Sequence, residues 1–267
     1  VSLEDLLGRR QNRLNTNKTS QFISKKVVLI TGAGGSIGSK LAKKVSKLGP
    51  SKLVMLDLSE NAIYNLKNSF CESTNKTKYI FLCSNIRNRN EMEKLFIKYK
   101  PDVIFHAGAL KHVTICEENI SEAIRTNVIA TAMLADLAEK FSSSCFVQIS
   151  TDKAVEPSSV MGLTKKLAEI IIQSKDKLSK SDTRFITVRF GNVLGSTGSV
   201  VPLFRRQLSE GGPLTVTDKN ATRFFMTIEE AVALVLNATL EQFYSKKELR
   251  GSISVLNMGA SIKIDIL

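Results

Sequence analysis

Between an apolar run, Val27-Val28-Leu29-Ile30, and a stretch of helical periodicity, Ser39–Leu48, the chain carries Thr31-Gly32-Ala33-Gly34-Gly35-Ser36-Ile37-Gly38. Few folds take that order of elements. A strand apolar on both faces belongs inside a parallel sheet with helices on either side. Gly32 permits a tight turn off the strand, Gly35 lets backbone approach a phosphate, and Gly38 lets helix and strand pack closely. The N–H groups of Gly34, Gly35, Ser36 and Ile37, with the positive end of a helix behind them, favour a bound diphosphate. A glycine triplet alone could serve only the turn. Set between strand and helix, it points to a dinucleotide site.

The rest of the chain keeps the rhythm this turn sets. Strands are expected at Ser51–Asp57, Lys78–Leu82, Val103–His106, Cys145–Ser150 and Phe185–Phe190, with helices between them at Ser59–Ser69, Asn90–Tyr99, Ser121–Phe141 and Ser159–Ser174. This alternation predicts an α/β fold, a doubly wound parallel sheet of the Rossmann type, over residues 26–190. Past Gly191 glycine and proline become frequent, helices remain at Val201–Glu210 and Ile228–Gln242, and a last strand is expected at Ser252–Asn257. Residues 191–267 read as a small, loop-rich substrate-binding part. Residues 1–25, basic and polar near their end, read as an arm or linker.

The chain has 267 residues, 43% of them apolar, which is enough for one continuous core. No apolar run is long enough to span a bilayer. It begins with Val and stops within the hydrophobic segment Ser261–Leu267, and so reads as a piece of a longer protein. Its 38 Lys and Arg against 25 Asp and Glu leave a formal charge of +13. The basic residues are spread out and aromatics are few, so the charge reads as a lysine-rich surface and not as a nucleic-acid site. The cysteines show no CxxC spacing, and only His106 and His112 could join them, so no metal site is expected. Reduced thiols in a cytoplasmic setting fit this pattern.

Asp57 closes the second strand, where an acid would bond the adenosine ribose hydroxyls. A carboxylate there repels a 2′-phosphate, so NAD is favoured over NADP. The alternative is that Asp57 caps the helix beginning near Ser59. Asn85 and Ile86 follow the third strand and could border the adenine, with Arg87 as the one base placed for a 2′-phosphate. Ala107 follows the fourth strand on the same edge.

Four further strings narrow the field. They are His106-Ala107-Gly108-Ala109-Leu110-Lys111-His112-Val113, Ser150-Thr151-Asp152-Lys153-Ala154-Val155, Arg189-Phe190-Gly191-Asn192-Val193-Leu194-Gly195-Ser196 running on through Gly198-Ser199-Val200-Val201-Pro202, and Thr222-Arg223-Phe224-Phe225-Met226-Thr227. With the glycine turn and Met161-x-x-x-Lys165, they resemble the UDP-N-acetylglucosamine 4,6-dehydratases of the polysaccharide-biosynthesis group, within the extended short-chain dehydrogenase/reductase superfamily. The likeness runs from Val27 onward. Ser2–Arg9 is similar to the linker before the catalytic domain in long, membrane-anchored members. By that resemblance the chain would be the cytoplasmic domain of a bacterial inner-membrane protein, touching membrane only through segments outside this chain, and a homo-oligomer.

The resemblance implies a reaction and its residues. A UDP-sugar is oxidised at C4 by hydride transfer to the nicotinamide, loses the C5 proton and the C6 hydroxyl, and takes the hydride back at C6. Asp152 is then the acid for the C6 hydroxyl and Lys153 the base at C5, although adjacent opposite charges shift each other's titration. Lys165 would hold the nicotinamide ribose, and Asn127 would help place it through water. Where dehydrogenases of the superfamily carry a tyrosine, this chain has Met161, which transfers no proton. The long subgroup shares that methionine, and Lys165, Thr151 or Lys153 remain as acceptors of the C4 hydroxyl proton. Asn192, Gly198, Ser199, Val200 and Arg223 are expected at the UDP moiety, and Lys111 and His112 at cofactor or substrate. Two other readings stand beside this one: a nucleotide-sugar 4-epimerase or reductase, and a dinucleotide-binding regulator without turnover.

Overall fold

The computed structural model describes residues 14–70, 76–196, 200–216, 218 and 220–264. The apolar runs become β1 (Val27–Thr31), β2 (Lys52–Asp57), β3 (Lys78–Cys83), β4 (Val103–His106), β5 (Cys145–Thr151) and β6 (Arg184–Phe190). A seventh strand, β10 (Ile253–Val255), pairs with β6, and the sheet order is β10-β6-β5-β4-β1-β2-β3, all parallel. The chain leaves β1 toward β3 and returns to β4 on the other side of β1. That reversal opens a crevice at the C-terminal ends of β1 and β4, where an α/β sheet takes its ligands.

Helices cover both faces. On one, α1 (Thr16–Ile23), α2 (Ser36–Ser46) and α10 (Ile228–Phe243) pack on Val28 and Ile30 of β1 and on matching positions of its neighbours. On the other, α4 (Arg89–Tyr99), α7 (Ala130–Lys140) and α8 (Val160–Leu178) pack on Leu29, Val54 and Ile104. Adjacent residues of β1 serve opposite layers because side chains alternate along a strand. The connecting helices are α3 (Glu60–Asn68), the short α5 (Val113–Glu118) and α6 (Ile120–Ile124), and α9 (Val200–Ser209). Two small pairs lie off the main sheet: β7 (Asn192–Val193) with β9 (Phe225–Met226), and β8 (Thr222–Arg223) with β11 (Ile262–Lys263).

Three expectations need correction. The part of the expected arm up to residue 13 lies outside the described residues. Beyond it, α1 docks on α10, burying Phe22 and Ile23, with the Phe22 ring centroid 4.9 Å from that of Phe243 and tilted 60° to it. Second, the sheet does not end at residue 190, since β10 and α10 come from the later stretch; α10 packs on α2 and β6. Third, the helix expected over Ser121–Phe141 is interrupted. Arg125–Ile129 form a π-helical turn between α6 and α7, an irregularity that often marks functional sites.

Candidate active site

The glycine turn is built as its spacing requires. Gly32 has φ +64°, and a Cβ there would come within 2.6 Å of the Gly108 nitrogen. A Cβ on Gly38 would lie 2.0 Å from the Gly32 carbonyl oxygen, so only glycine lets α2 start this close to β1. Gly34 has a role the spacing alone does not reveal: it abuts Ala62 of α3, where an added Cβ would meet the alanine methyl at 2.4 Å. Gly35 differs. Its Cβ would meet only the Gly32 oxygen, at 3.3 Å, and otherwise enter open space. It therefore presents bare backbone to the crevice.

That crevice is a cleft of about 1090 Å³ along the C-terminal ends of the strands. Gly32, Gly35, Ser36, Ile37 and Gly38 line one end, with Asp57, Asn85, Ile86 and Ala107. Asp57 accepts from the Gly34 N–H at 2.9 Å and from the Ser59 N–H at 3.0 Å. The cap of α3 is the Ser59 hydroxyl, which accepts from Ala62 N–H, so Asp57 is not that cap. Asn85 folds its side chain onto the N–H of Arg87. The Arg87 guanidinium is paired with Glu122, a cleft residue that no sequence signal indicated.

The other end of the cleft is lined by Thr151, Lys153, Met161, Lys165 and Asn192. Lys153 Nζ lies 3.1 Å from Asp152 Oδ1 and 2.9 Å from Asn192 Oδ1, and the Thr151 hydroxyl donates to the same Asp152 oxygen at 2.9 Å. Lys153 faces the cleft. Asp152, three-quarters buried, stands behind it beside Gly191 and is not among the lining residues. Lys165 is buried and donates to the Ile149 carbonyl at 2.6 Å. Burial lowers its pKa to about 8, against a smaller opposing pull from the Glu169 carboxylate. Met161 is buried one turn before it.

Asn127 sits in the π-helical turn and is buried. Its side-chain oxygen Oδ1 accepts from Leu110 N–H at 2.8 Å, and its side-chain Nδ2 donates to Leu110 O and to Thr164. It therefore fixes the loop that carries Lys111 and His112, both of which line the cleft. His106, at the end of β4, is buried between Thr31 and Thr131. Thr131 donates its one hydroxyl proton to the backbone carbonyl of Asn127, so it accepts from His106 Nε2–H, and Thr31 donates to Nδ1. Burial drives the His106 pKa down to about 3, so the ring is neutral.

Some expected residues are not brought together. Arg223 is exposed on β8, bonds the Thr222 carbonyl, and is absent from the cleft lining, as is Val200 at the start of α9. Gly198 and Ser199 lie outside the described residues. Asn192, expected at the nucleotide, instead directs its oxygen to Lys153.

With this geometry in view, comparison with known proteins places the chain. Residues 28–267 match the model of a family described as polysaccharide biosynthesis protein. The chain belongs to that family. Over 266 residues it is 44% identical to the capsular polysaccharide biosynthesis protein CapD of Staphylococcus aureus, covering 99% of this chain and 43% of that protein. The chain thus spans less than half the length of this curated relative. It is 35% identical over 218 residues to UDP-glucose 4-epimerase of Rickettsia rickettsii, covering 80% of the chain and 62% of the relative. Among solved structures, the dTDP-glucose 4,6-dehydratase DesIV of Streptomyces venezuelae, with NAD bound, superposes with a TM-score of 0.75 at 21% identity, over 90% of this chain and 78% of that one. The Rossmann-type fold of this family member is shared with these enzymes.

Proposed function

We propose that this member of the polysaccharide biosynthesis family is a nucleotide-sugar 4,6-dehydratase that converts UDP-N-acetylglucosamine to a UDP-4-keto-6-deoxy sugar. One observation carries the reading: the Thr151-Asp152-Lys153 turn delivers the Lys153 side-chain nitrogen, paired with a carboxyl, to the same cleft that the glycine turn lines.

The residues fit a dinucleotide. Gly35 leaves room for a diphosphate against bare backbone, and Ser36 and Ile37 continue the lining at the start of α2. Asp57 still has lone pairs for ribose hydroxyls beside its two backbone bonds. NAD is favoured, because the nearest guanidinium, Arg87, is neutralised by Glu122. Lys165 stands where it can hold the nicotinamide ribose. The bound cofactor supplies a hydride acceptor and, later in one turnover, the donor.

This chain's own groups handle the protons. Lys153 acts as the free amine: the proton it shares with Asp152 sits on that carboxyl, and the amine, held by Asp152 and Asn192, takes the proton from C5. Asp152, protonated in that exchange, is the acid for the departing C6 hydroxyl. Met161 moves no proton, so the C4 hydroxyl proton goes to Lys165, whose lowered pKa suits it, to Thr151, or to Lys153 through a water. Gly198, Ser199, Val200 and Arg223 are assigned to the UDP moiety on the family resemblance, not on the cleft lining, which includes neither Val200 nor Arg223. The chain acts as a cytoplasmic domain of a bacterial inner-membrane protein, a reading that rests on the resemblance of Ser2–Arg9 to the linker of the long, membrane-anchored members; among the described residues no helix is long and apolar enough to cross a membrane. A homo-oligomer is supported by Ile120, Ile124, Ile129, Leu163, Leu167 and Ile170, all exposed on adjoining helices.

The similarity to UDP-glucose 4-epimerases favours a second reading, epimerisation at C4. Met161 weighs against it, since epimerisation needs a proton-exchanging hydroxyl there, and it leaves Asp152 and Lys153 without a task. Mass spectrometry of the product from UDP-N-acetylglucosamine separates the two. A dehydratase gives a sugar lighter by one water; an unchanged mass supports the epimerase and overturns the dehydratase; no product at all with NAD bound supports a regulator.

A further inference from the structure

Glu169, on α8, is fully buried, and the chemistry above gives it no task. It follows Lys165 by one helical turn on the same face. Its Oε1 accepts from Ser150 Oγ at 2.6 Å and from Arg189 Nε at 3.0 Å, and its Oε2 accepts from Arg189 Nη2 at 2.6 Å. Ser150 and Arg189 are register partners on β5 and β6. The carboxylate therefore clamps the two strands together one rung below their ends. Three residues beyond each clamped position stand Lys153 and Asn192, whose side chains meet at 2.9 Å. Lys165 itself donates to the carbonyl of Ile149, the neighbour of Ser150.

We propose that Glu169 is a positioning residue of this site, which sets Lys153 against Asn192 through Ser150 and Arg189 and whose negative charge acts on the Lys165 ammonium one turn away. The inference rests on the dehydratase reading for the tasks of those lysines. Joining two strands does not by itself call for an ion pair, because desolvating a carboxylate and a guanidinium is costly and apolar packing holds strands as well. What apolar packing cannot do is orient a hydroxyl and a guanidinium at the roots of both site loops and place a counter-charge under Lys165. The bidentate fork of Arg189 fixes the carboxylate plane, and so the direction of both bonds.

Most of the charged groups on elements packed around Lys165 are otherwise engaged, and Glu118 at the end of α5 is exposed. His106 of β4 is neutral between its threonines. Asp152 and Lys153 are bonded to each other. Glu117 of α5 accepts from the Val160 N–H, and Glu122 of α6 pairs with Arg87 and Arg125. Asp136 and Glu139 of α7 pair with Lys175, at the far end of α8. Glu169, partly offset by Arg189, is left as the carboxylate that opposes the burial of Lys165.

The test uses the whole chain and two variants. Glu169→Gln keeps the shape and removes the charge; Glu169→Asp keeps the charge and shortens the reach. Competitive labelling with acetic anhydride across a pH series, read at the Lys165 peptide by mass spectrometry, gives that lysine's titration midpoint without turnover. For Glu169→Gln the midpoint is expected to fall by about half a pH unit or more. Its turnover of UDP-N-acetylglucosamine should drop on the order of ten-fold or more with KM little changed, since misplacement by an ångström carries such losses. Glu169→Asp should keep the parental midpoint and lose turnover. A purely structural role predicts a lower melting temperature with neither change. The inference is overturned by a folded Glu169→Gln chain labelled at the parental midpoint, or by Glu169→Asp with full turnover. If the parent chain turns over no sugar, the dehydratase reading fails, and the Lys165 midpoint still decides for or against the role of Glu169.

Discussion

Replacing Gly38 by alanine tests the cofactor end of the cleft. The added methyl carbon would sit 2.0 Å from the Gly32 carbonyl oxygen. A carbon and a carbonyl oxygen need roughly 3.3 Å, so α2 must retreat from β1 by about 1.3 Å or the turn must open by as much. The obstacle is backbone on both sides, and no side chain can swing away. Overpacking of this kind costs about 1–3 kcal/mol of stability. The retreat also carries the N–H groups of Ser36 and Ile37 off the position of a diphosphate. Losing the better part of two such bonds weakens binding by on the order of ten- to a hundred-fold, at about 1.4 kcal/mol per decade. Gly35→Ala is the companion, because its Cβ meets the same oxygen at 3.3 Å, an accommodable distance, and otherwise fills the cleft. Fluorescence titration with NADH, beside thermal melts, reads both effects. Gly38→Ala should lose stability and binding together, and Gly35→Ala should lose binding at nearly parental stability. Parental NADH affinity in both variants would refute the assignment of this turn to a dinucleotide.

Three further outcomes follow from the same geometry. Lys153→Met should lower kcat on UDP-N-acetylglucosamine by about 10²–10⁴-fold, the range for removing a proton-transfer group, with NADH affinity preserved in the titration. His106 has a folded-state pKa far below its unfolded one, so the unfolded chain binds a proton that the folded chain refuses. Stability is therefore lost as pH falls from about 6.5 toward 3, with a limiting slope of about 1.4 kcal/mol per pH unit; urea unfolding across that window should show a shallower fall for His106→Gln than for the parent. Phe22→Ala should destabilise the fold by about 3 kcal/mol in the same assay, because α1 is docked structure, and a free arm would give no change.

Sequence made the site legible where its chemistry is local. The glycine turn, Asp57 and the Thr151-Asp152-Lys153 string each occupy one strand end, and strand ends can be read from apolar runs. Other features depend on partners far along the chain. The Glu169 clamp joins residues about twenty positions apart on three elements, and no periodicity announces it. The pattern of α1 is amphipathic but short, and its polar face hid Phe22 and Ile23 within a basic stretch. The return of β10 to the sheet depends on pairing with β6 across more than sixty residues. The bonding of Asn127 was not legible, because the π-helical turn that aims it at Leu110 leaves no mark in an apolar pattern. Arg223 has the charge for a diphosphate, yet its strand holds it at the surface.

The most direct test is turnover of UDP-N-acetylglucosamine in heavy water, with the product examined by NMR. If Lys153 removes the C5 proton and C5 is later reprotonated from solvent, the product is a 4-keto-6-deoxy sugar carrying deuterium at C5, and Lys153→Met forms it slower by about a hundred-fold or more. A sugar that keeps its C6 hydroxyl and carries no deuterium at C5 would contradict the account.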